Sequence, residues 1–314
     1  MTPAQFGDWS RHSVRSFSAQ QVAAGLQPAP EAAAFAERQI LVLLPSGLDT
    51  PQHSVWHVVA GHEVVGALWL RVRPLSTEVE AYVFDVEILP EARGRGLGRA
   101  TMLAAEEAAR DQRADVVRLN VFGHNVPAIR LYESLGYSAA SISMAKPLRR
   151  LDARLDVAGP RLELRDMTAA EYVAFRARLE TGHAADLARS GAMPLEEARR
   201  TVADNLASLL PRGRLSPGKL LWTAYVDGEA VGHVWCHLDE RSDGMSAFVH
   251  DLAVREDPHD PGRGLALLAE AERGCRARGV TSMGLSVVGG DTAARSFYEE
   301  AGFEVTALSM VKRL

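Results

Sequence analysis

The feature that most constrains this chain is that it is written twice. Shifted by 166 residues, so that Met167 falls on Met1, Leu43-Leu44-Pro45 meets Leu209-Leu210-Pro211. Trp56 and Trp69 meet Trp222 and Trp235, and Glu63-x-Val65-Gly66 meets Glu229-x-Val231-Gly232. The same offset aligns Asp85 with Asp251, Tyr132 with Tyr298, Gly136 with Gly302, Lys146 with Lys312 and Leu148 with Leu314. It slips only near Pro90–Leu103, where the second copy carries two more residues before its glycines. Solenoid repeats run to about 20–50 residues, so a unit this long predicts a domain rather than an array. Two domains are expected, 1–148 and 161–314, joined by a charged linker at 149–160 that closes in Gly159-Pro160.

The pattern of one copy predicts an α/β domain with a mixed sheet. Residues 4–44 read as two helices broken around Gly25-Leu26-Gln27-Pro28, followed by strands at 55–60, 64–72 and 80–89. A glycine-rich turn over 90–98 leads into a helix at 99–113. A strand at 116–122, a short helix at 126–135 closed by Gly136, and a last strand at 138–148 complete the unit. The second copy repeats this order behind a short alternating strand at 161–165. In the strand 80–89, strict alternation puts Tyr82, Phe84, Val86 and Ile88 on one face and Val83, Asp85, Glu87 and Leu89 on the other.

Composition removes several classes of function. Thirty-five basic against 40 acidic side chains give a net charge of −5, which argues against a nucleic-acid or anionic-membrane partner and leaves room for a cationic substrate. Two cysteines, Cys236 and Cys275, are too few for a disulfide framework or a structural zinc site, so no metal is expected. The longest apolar run, Ile40–Leu44, ends at Pro45, and the first residues lack the basic start and apolar stretch of a signal peptide. A cytoplasmic protein, monomeric or homodimeric, is the expectation.

The chemistry-bearing segment is Arg93-Gly94-Arg95-Gly96-Leu97-Gly98, between a strand and a helix opened by Arg99. Glycines let a backbone approach an anion, and a helix start offers unpaired N–H groups with partial positive charge, so a phosphate or pyrophosphate sits well there. The spacing is neither the dinucleotide G-x-G-x-x-G fingerprint nor a P-loop. Arg93-x-x-Gly96-x-Gly98 after the strand Phe84–Pro90 resembles motif A of the GNAT superfamily, the Gcn5-related N-acetyltransferases. Asn125-x-x-Ala128-x-x-x-Tyr132-Glu133-x-x-Gly136-Tyr137 is similar to its motif B.

That resemblance implies two tandem GNAT-like domains. Each would be a mixed, mostly antiparallel sheet with helices on both faces and a central parallel strand pair that splays apart. It implies acetyl-CoA as co-substrate and a small-molecule primary amine as acceptor. The main chain of Val86, Glu87 and Ile88 would contact the acetyl and pantetheine groups. Arg93, Gly94, Arg95, Gly96, Leu97, Gly98 and Arg99 would hold the pyrophosphate, Asn125 the pantetheine arm, and Tyr132 would be the general acid beside the sulfur. Many members place a glutamate base where this chain has Tyr82, which leaves Asp85 and Glu87 as candidate bases. Glu87 is matched by Ala253, Asp85 by Asp251; His124 is a further candidate.

In the second copy Pro261 stands where Arg93 stands, and Asp257 and Asp260 bring acidic charge to the loop, so the working site is expected in the first copy. Tandem members such as the mycothiol synthases resemble this chain in length and plan. The alternatives are an acyl-CoA-binding regulatory or scaffold protein without turnover, and an acetyltransferase acting on protein lysines.

Overall fold

A computed structural model describes residues 1–148, 162–189, 194–242, 244–255 and 262–314. The linker 149–160 lies outside the described residues, as do Asp257, His259, Asp260 and Pro261 of the second glycine loop. The chain packs as two compact units. The first comprises residues 1–144 with 287–292 and 305–314; the second comprises 145–286 with 293–304.

The first unit opens with α1 (Pro3–Ala23), set by a capping box in which Thr2 and Gln5 exchange side-chain and backbone hydrogen bonds. Next is α2 (Ala29–Leu43), whose Ala32 and Ala36 are buried and small enough for close helix packing. Strands β1 (His53–Ala60), β2 (Glu63–Pro74) and β3 (Val79–Ile88) form an antiparallel meander. Helix α3 (Leu97–Asp111) crosses to β4 (Val116–Phe122), which lies parallel to β3; α4 (Val126–Ser134) and β5 (Ser138–Pro147) follow. Met102, Ala105 and Ala109 present the apolar stripe of α3 to Leu70, Val117 and Leu119, all nearly or fully buried. Each large side chain so buried contributes about 1.5–3 kcal/mol.

Two irregularities shape the site. Parallel pairing of β3 with β4 runs from Glu80↔Val116 only to Val83↔Leu119, after which the strands separate. Opposite β2, Trp69 pairs with Asp85 and Leu70 with Val83, so Phe84 is an extra, bulged residue. The bulge breaks the alternation expected from the sequence. Val83 and Val86 both pack in the α3 core, whereas Phe84 joins the Trp9 cluster and Asp85 and Glu87 bond to α1. Asp85 and Glu87 therefore share the face of Tyr82 and Phe84 rather than opposing it.

The second copy contains β6 (Glu163–Asp166), α5 (Ala169–Arg189), α6 (Leu195–Leu209), β7 (Lys219–Val226), β8 (Glu229–Arg241), β9 (Gly244–Val254), α7 (Arg263–Arg276), β10 (Val280–Val288) and α8 (Thr292–Glu300). It repeats the meander, the parallel pair (β9 with β10) and the bulge, here at His250. The sequence pattern thus predicts the element order of both copies within a few residues.

The last strand, β11 (Glu304–Arg313), lies antiparallel to β4 within the first unit, from Ala307↔Phe122 to Arg313↔Val116. It carries Lys312 to Glu106 of α3, a carboxylate only 1% exposed, at 2.6 Å. In the second unit the repeat-related Lys146 donates to the fully buried Glu272 of α7 at 2.9 Å and to Ala301 O at 2.8 Å. Each ammonium also lies over an aromatic ring, Lys312 over Tyr137 and Lys146 over Phe303. A buried carboxylate deprived of its partner costs roughly 3–5 kcal/mol. Lys312→Ala leaves Glu106 the longer 3.5 Å contact with Arg110 and is expected to lower stability by up to about that amount in urea unfolding of the full chain; adding Glu106→Leu should recover most of it. Equal stability of Lys312→Ala and the parent chain would show that the pair holds nothing.

Candidate active site

Loop, cleft and helix pair meet in the first unit. After β3, Arg93 turns back and its Nε donates to Ile88 O at 2.9 Å, tying the loop to the strand end. Gly94 and Gly96 follow with φ of +76° and +78°, left-handed values that strain any side-chain-bearing residue. Gly96 is the N-cap of α3, and the helix ladder begins with Ala100 N donating to Gly96 O. Among the described residues, the N–H groups of Gly94 through Arg99 have no acceptor, and the first turn of α3 carries no acidic side chain. Six backbone donors at a helix start form a cradle for a phosphate-bearing group.

A cavity of about 440 Å³ opens where β3 and β4 separate. Its floor is Tyr82 to Val86 of β3 and Leu119 to Phe122 of β4; its walls are α1 and α2, and Asn125 and Tyr132 close one end. Asn125 caps α4 by accepting from Ala128 N, which fixes the helix that carries Tyr132. No residue of the glycine loop lines this cavity, so loop and cavity are separate compartments beside the same strand end.

Asp85 is the only carboxylate among the lining residues. Trp9 Nε1 donates to its Oδ2 at 3.3 Å, and Ser13 Oγ lies at 3.5 Å. Burial, reinforced by the nearby Glu87 charge, pushes the Asp85 carboxyl up to about 6. Burial and the Asp85 charge together push the Tyr132 phenol up to about 12. A carboxyl poised near neutrality and a phenol firmly protonated, facing one cavity, make a base and a hydrogen donor.

The second copy holds the matching aspartate differently. Asp251 Oδ2 lies 2.6 Å from His233 Nε2 and accepts from Arg178 Nη2 at 3.0 Å. Burial opposes its ionisation, but the His233 hydrogen bond and the charges of His233 and Arg178 prevail and hold the carboxyl below its usual range. At the repeat-related positions the first copy has Ala67 for His233 and His12 for Arg178. The loops differ too: Gly262, the N-cap of α7, has φ −87° where Gly96 has +78°. Arg263 Nη1 donates to Arg255 O, a strand-end contact like that of Arg93 that alignment with Pro261 would not suggest.

The sequence-derived residues thus divide into three groups. Asp85, Val86, Asn125 and Tyr132 line the cavity; Arg93 through Arg99 form the cradle beside it. Glu87 is outside the cavity lining and is bonded to His12 Nε2 at 2.8 Å, and Ile88 supplies the carbonyl for Arg93. His124 is also outside, bonded to Gln20 Oε1 at 3.1 Å. Sequence reasoning missed the helical wall. Ser13, Phe17, Gln20 and Gln21 stand at i, i+4, i+7 and i+8 of α1, a single face of mixed polarity that signals a lined cleft rather than core.

Comparison with known proteins identifies the family. The sequence profile of the Acetyltransferase (GNAT) family matches residues 19–137 and again 191–303. The uncharacterized N-acetyltransferase YdgE of Bacillus subtilis is 32% identical over 149 residues, which is 47% of this chain and 95% of that protein. The mycothiol acetyltransferase of Pseudarthrobacter chlorophenolicus is 31% identical over 111 residues, 35% of this chain and 34% of that one. Among solved structures, a GCN5-related N-acetyltransferase from Sphaerobacter thermophilus superposes with a TM-score of 0.54 at 23% identity, covering 96% of this chain and 91% of that chain.

The Asp85 carboxyl carries a stability cost that can be measured. Its folded value of about 6 lies above the roughly 3.9 of an unfolded chain. Well below pH 4 it is protonated in both states and costs nothing; from about pH 4 to 6 the unfolded chain ionises while the folded one stays protonated, so stability falls across that window and stays lower above it. Asp85→Asn is expected to stabilise the protein at pH 8, by an amount on the order of 2 kcal/mol, and to leave stability unchanged at about pH 3.5. Thermal melts across that range check it; a variant no more stable at pH 8 would place Asp85 in contact with water.

Proposed function

Because the chain belongs to the GNAT acetyltransferase family, we propose that its N-terminal half moves an acetyl group from acetyl-CoA to the primary amine of a small molecule. The observation that carries this reading is the convergence of Asp85 and Tyr132 on one cavity beside an open cradle of backbone donors. The six N–H groups of Gly94–Arg99 suit a pyrophosphate, and the edge of β3 beyond Val83, without a β4 partner, suits an extended pantetheine arm.

In this mechanism Asp85 takes a proton from the incoming ammonium. The neutral nitrogen then forms a bond to the thioester carbonyl carbon as the carbon–sulfur bond breaks. Backbone donors of Val86–Ile88 stabilise the charge gathering on the carbonyl oxygen. Tyr132 gives its proton to the departing sulfur, which leaves with the electron pair. The second nitrogen proton, lost as the amide forms, restores the phenol, and Asp85 releases its own proton to solvent. Holding amine and thioester together supplies much of the remaining acceleration. Glu87, engaged by His12, positions α1 against β3 and is set aside as the base.

The C-terminal half acts in this reading as scaffold. Asp251 is committed to His233 and Arg178, and the N-cap glycine of α7 lacks the left-handed turn. That one copy suffices is supported by YdgE, whose length matches about half of this chain. No helix among the described residues is long and apolar enough to cross a membrane. Both cysteines are free thiols, which suits a reducing compartment.

Two variants test the reading. Gly96→Glu places a strained, anionic side chain in the cradle and should abolish acetyl-CoA binding in calorimetry; unchanged stoichiometry and affinity would refute the assignment. Tyr132→Phe should lower kcat by roughly 10²-fold with acetyl-CoA affinity preserved, and full turnover would show that the thiolate leaves unaided.

A further inference from the structure

We infer that the acceptor is an arylalkylamine, a flat apolar primary amine bearing no acid group, seated between α1, α2 and the β3–β4 floor. This rests on the acetyl-transfer reading and names the substrate class of that site. The first argument is charge. No lysine, arginine or histidine is among the cavity-lining residues, and Asp85 is their single carboxylate. An amine that also carried a carboxylate or phosphate would lose its hydration beside Asp85 with no cation to replace it. A polyamine would meet one carboxylate with several ammonium groups and leave the rest desolvated. One amine and no other charge is what the lining matches.

Shape supplies the second argument. Phe35 stacks on Phe17 with centroids 6.2 Å apart and planes at 29°, and Phe17 lies 5.9 Å from Phe122. These three rings, from α2, α1 and β4, line the cavity with Ile40 and Leu43. Phe17 is 36% exposed, an aromatic left unburied unless another flat group covers it. At the Asp85 end, Trp69 and Phe84 stack at 4.6 Å and both line the cavity, so the wall around the carboxylate is aromatic too.

Part of the polar lining is committed. Gln20 bonds to His124, Asn125 caps α4, and Ser13 is directed at Asp85. A sugar amine would compete with those internal bonds for its hydroxyls. An aromatic body needs none of them.

The test uses the full chain. Acetyl-CoA binding is first measured by calorimetry, and then initial rates of thiol release are measured with 2-phenylethylamine, phenylalanine, glucosamine and spermidine. The expected kcat/KM for 2-phenylethylamine exceeds that for phenylalanine by about 100-fold or more, compared at equal free-amine concentration. Phe17→Ala should raise its KM about tenfold and leave acetyl-CoA affinity alone. Gln39→Arg, which supplies the missing cation, should raise kcat/KM for phenylalanine. Equal or better turnover of phenylalanine, glucosamine or spermidine overturns the inference, as does acetyl-CoA binding with no acetylation of 2-phenylethylamine. Failure to bind acetyl-CoA refutes the acetyl-transfer reading instead. In that case direct titration decides the amine class: 2-phenylethylamine binding more tightly than phenylalanine supports it, and the reverse overturns it.

Discussion

Much of this architecture depends on how β4 is held. Its edge toward β3 is bonded only as far as Leu119, while its opposite edge is bonded to β11 along the full run from Val116 to Phe122. A strand that left its neighbour without support on the other side would expose a row of unpaired amides and carbonyls. With β11 in place, β4 can diverge from β3 and open a cleft at low cost. The Lys312–Glu106 pair locks β11 in register, because a shift by one residue would turn the ammonium to the other face and strand a buried carboxylate. The cleft between β3 and β4 is thus secured by residues more than a hundred positions away in sequence.

The bulge at Phe84 is the second constraint, and it explains why one face of β3 can hold both a packed aromatic and a carboxylate lining the cavity. Without the extra residue Asp85 would point into the α3 core among Met102 and Leu119, where no donor waits for it. With it, Asp85 meets Trp9 and Ser13 of α1. The second copy has the same bulge at His250 and the same aspartate, so geometry alone does not decide reactivity. Neighbours do: His233 and Arg178 hold Asp251 ionised, while Ala67 contributes no charge to its counterpart. A shared carboxylate is pushed up in one copy and held down as an ion-pair member in the other through substitutions one strand and one helix away.

The sequence makes the element order, the repeat and the glycine cradle legible because each rests on local periodicity or on a fixed turn chemistry. Alternation misplaces Asp85 relative to Tyr82, since a bulge leaves no mark in a run such as Tyr82-Val83-Phe84-Asp85 that is suited to a strand in either register. The pairing of β11 with β4 is equally silent. Lys146 and Lys312 sit in repeat-related contexts, as do Glu106 and Glu272, so an offset of 166 is satisfied whichever lysine meets whichever glutamate. The loop arginine is a milder case: Arg263 reaches the strand-end carbonyl although the alignment offers Pro261 at that place.

Comparing the copies separates what the fold requires from what the chemistry requires. A Cβ on Gly66 would meet Glu87 O at 2.1 Å, and one on Gly232 would meet Ala253 O at 2.5 Å, so both copies need a glycine beside the bulged strand. The buried Glu–Lys pairs are likewise present twice. Those are the requirements of a splayed sheet, and they say nothing about turnover. Among the described residues, what differs in the first copy is the left-handed Gly96 cap and an Asp85 whose burial works against stability. A destabilising carboxylate is thus kept in a cavity in one half, while its twin is held by an ion pair in the other, a difference in neighbours that the shared fold does not require.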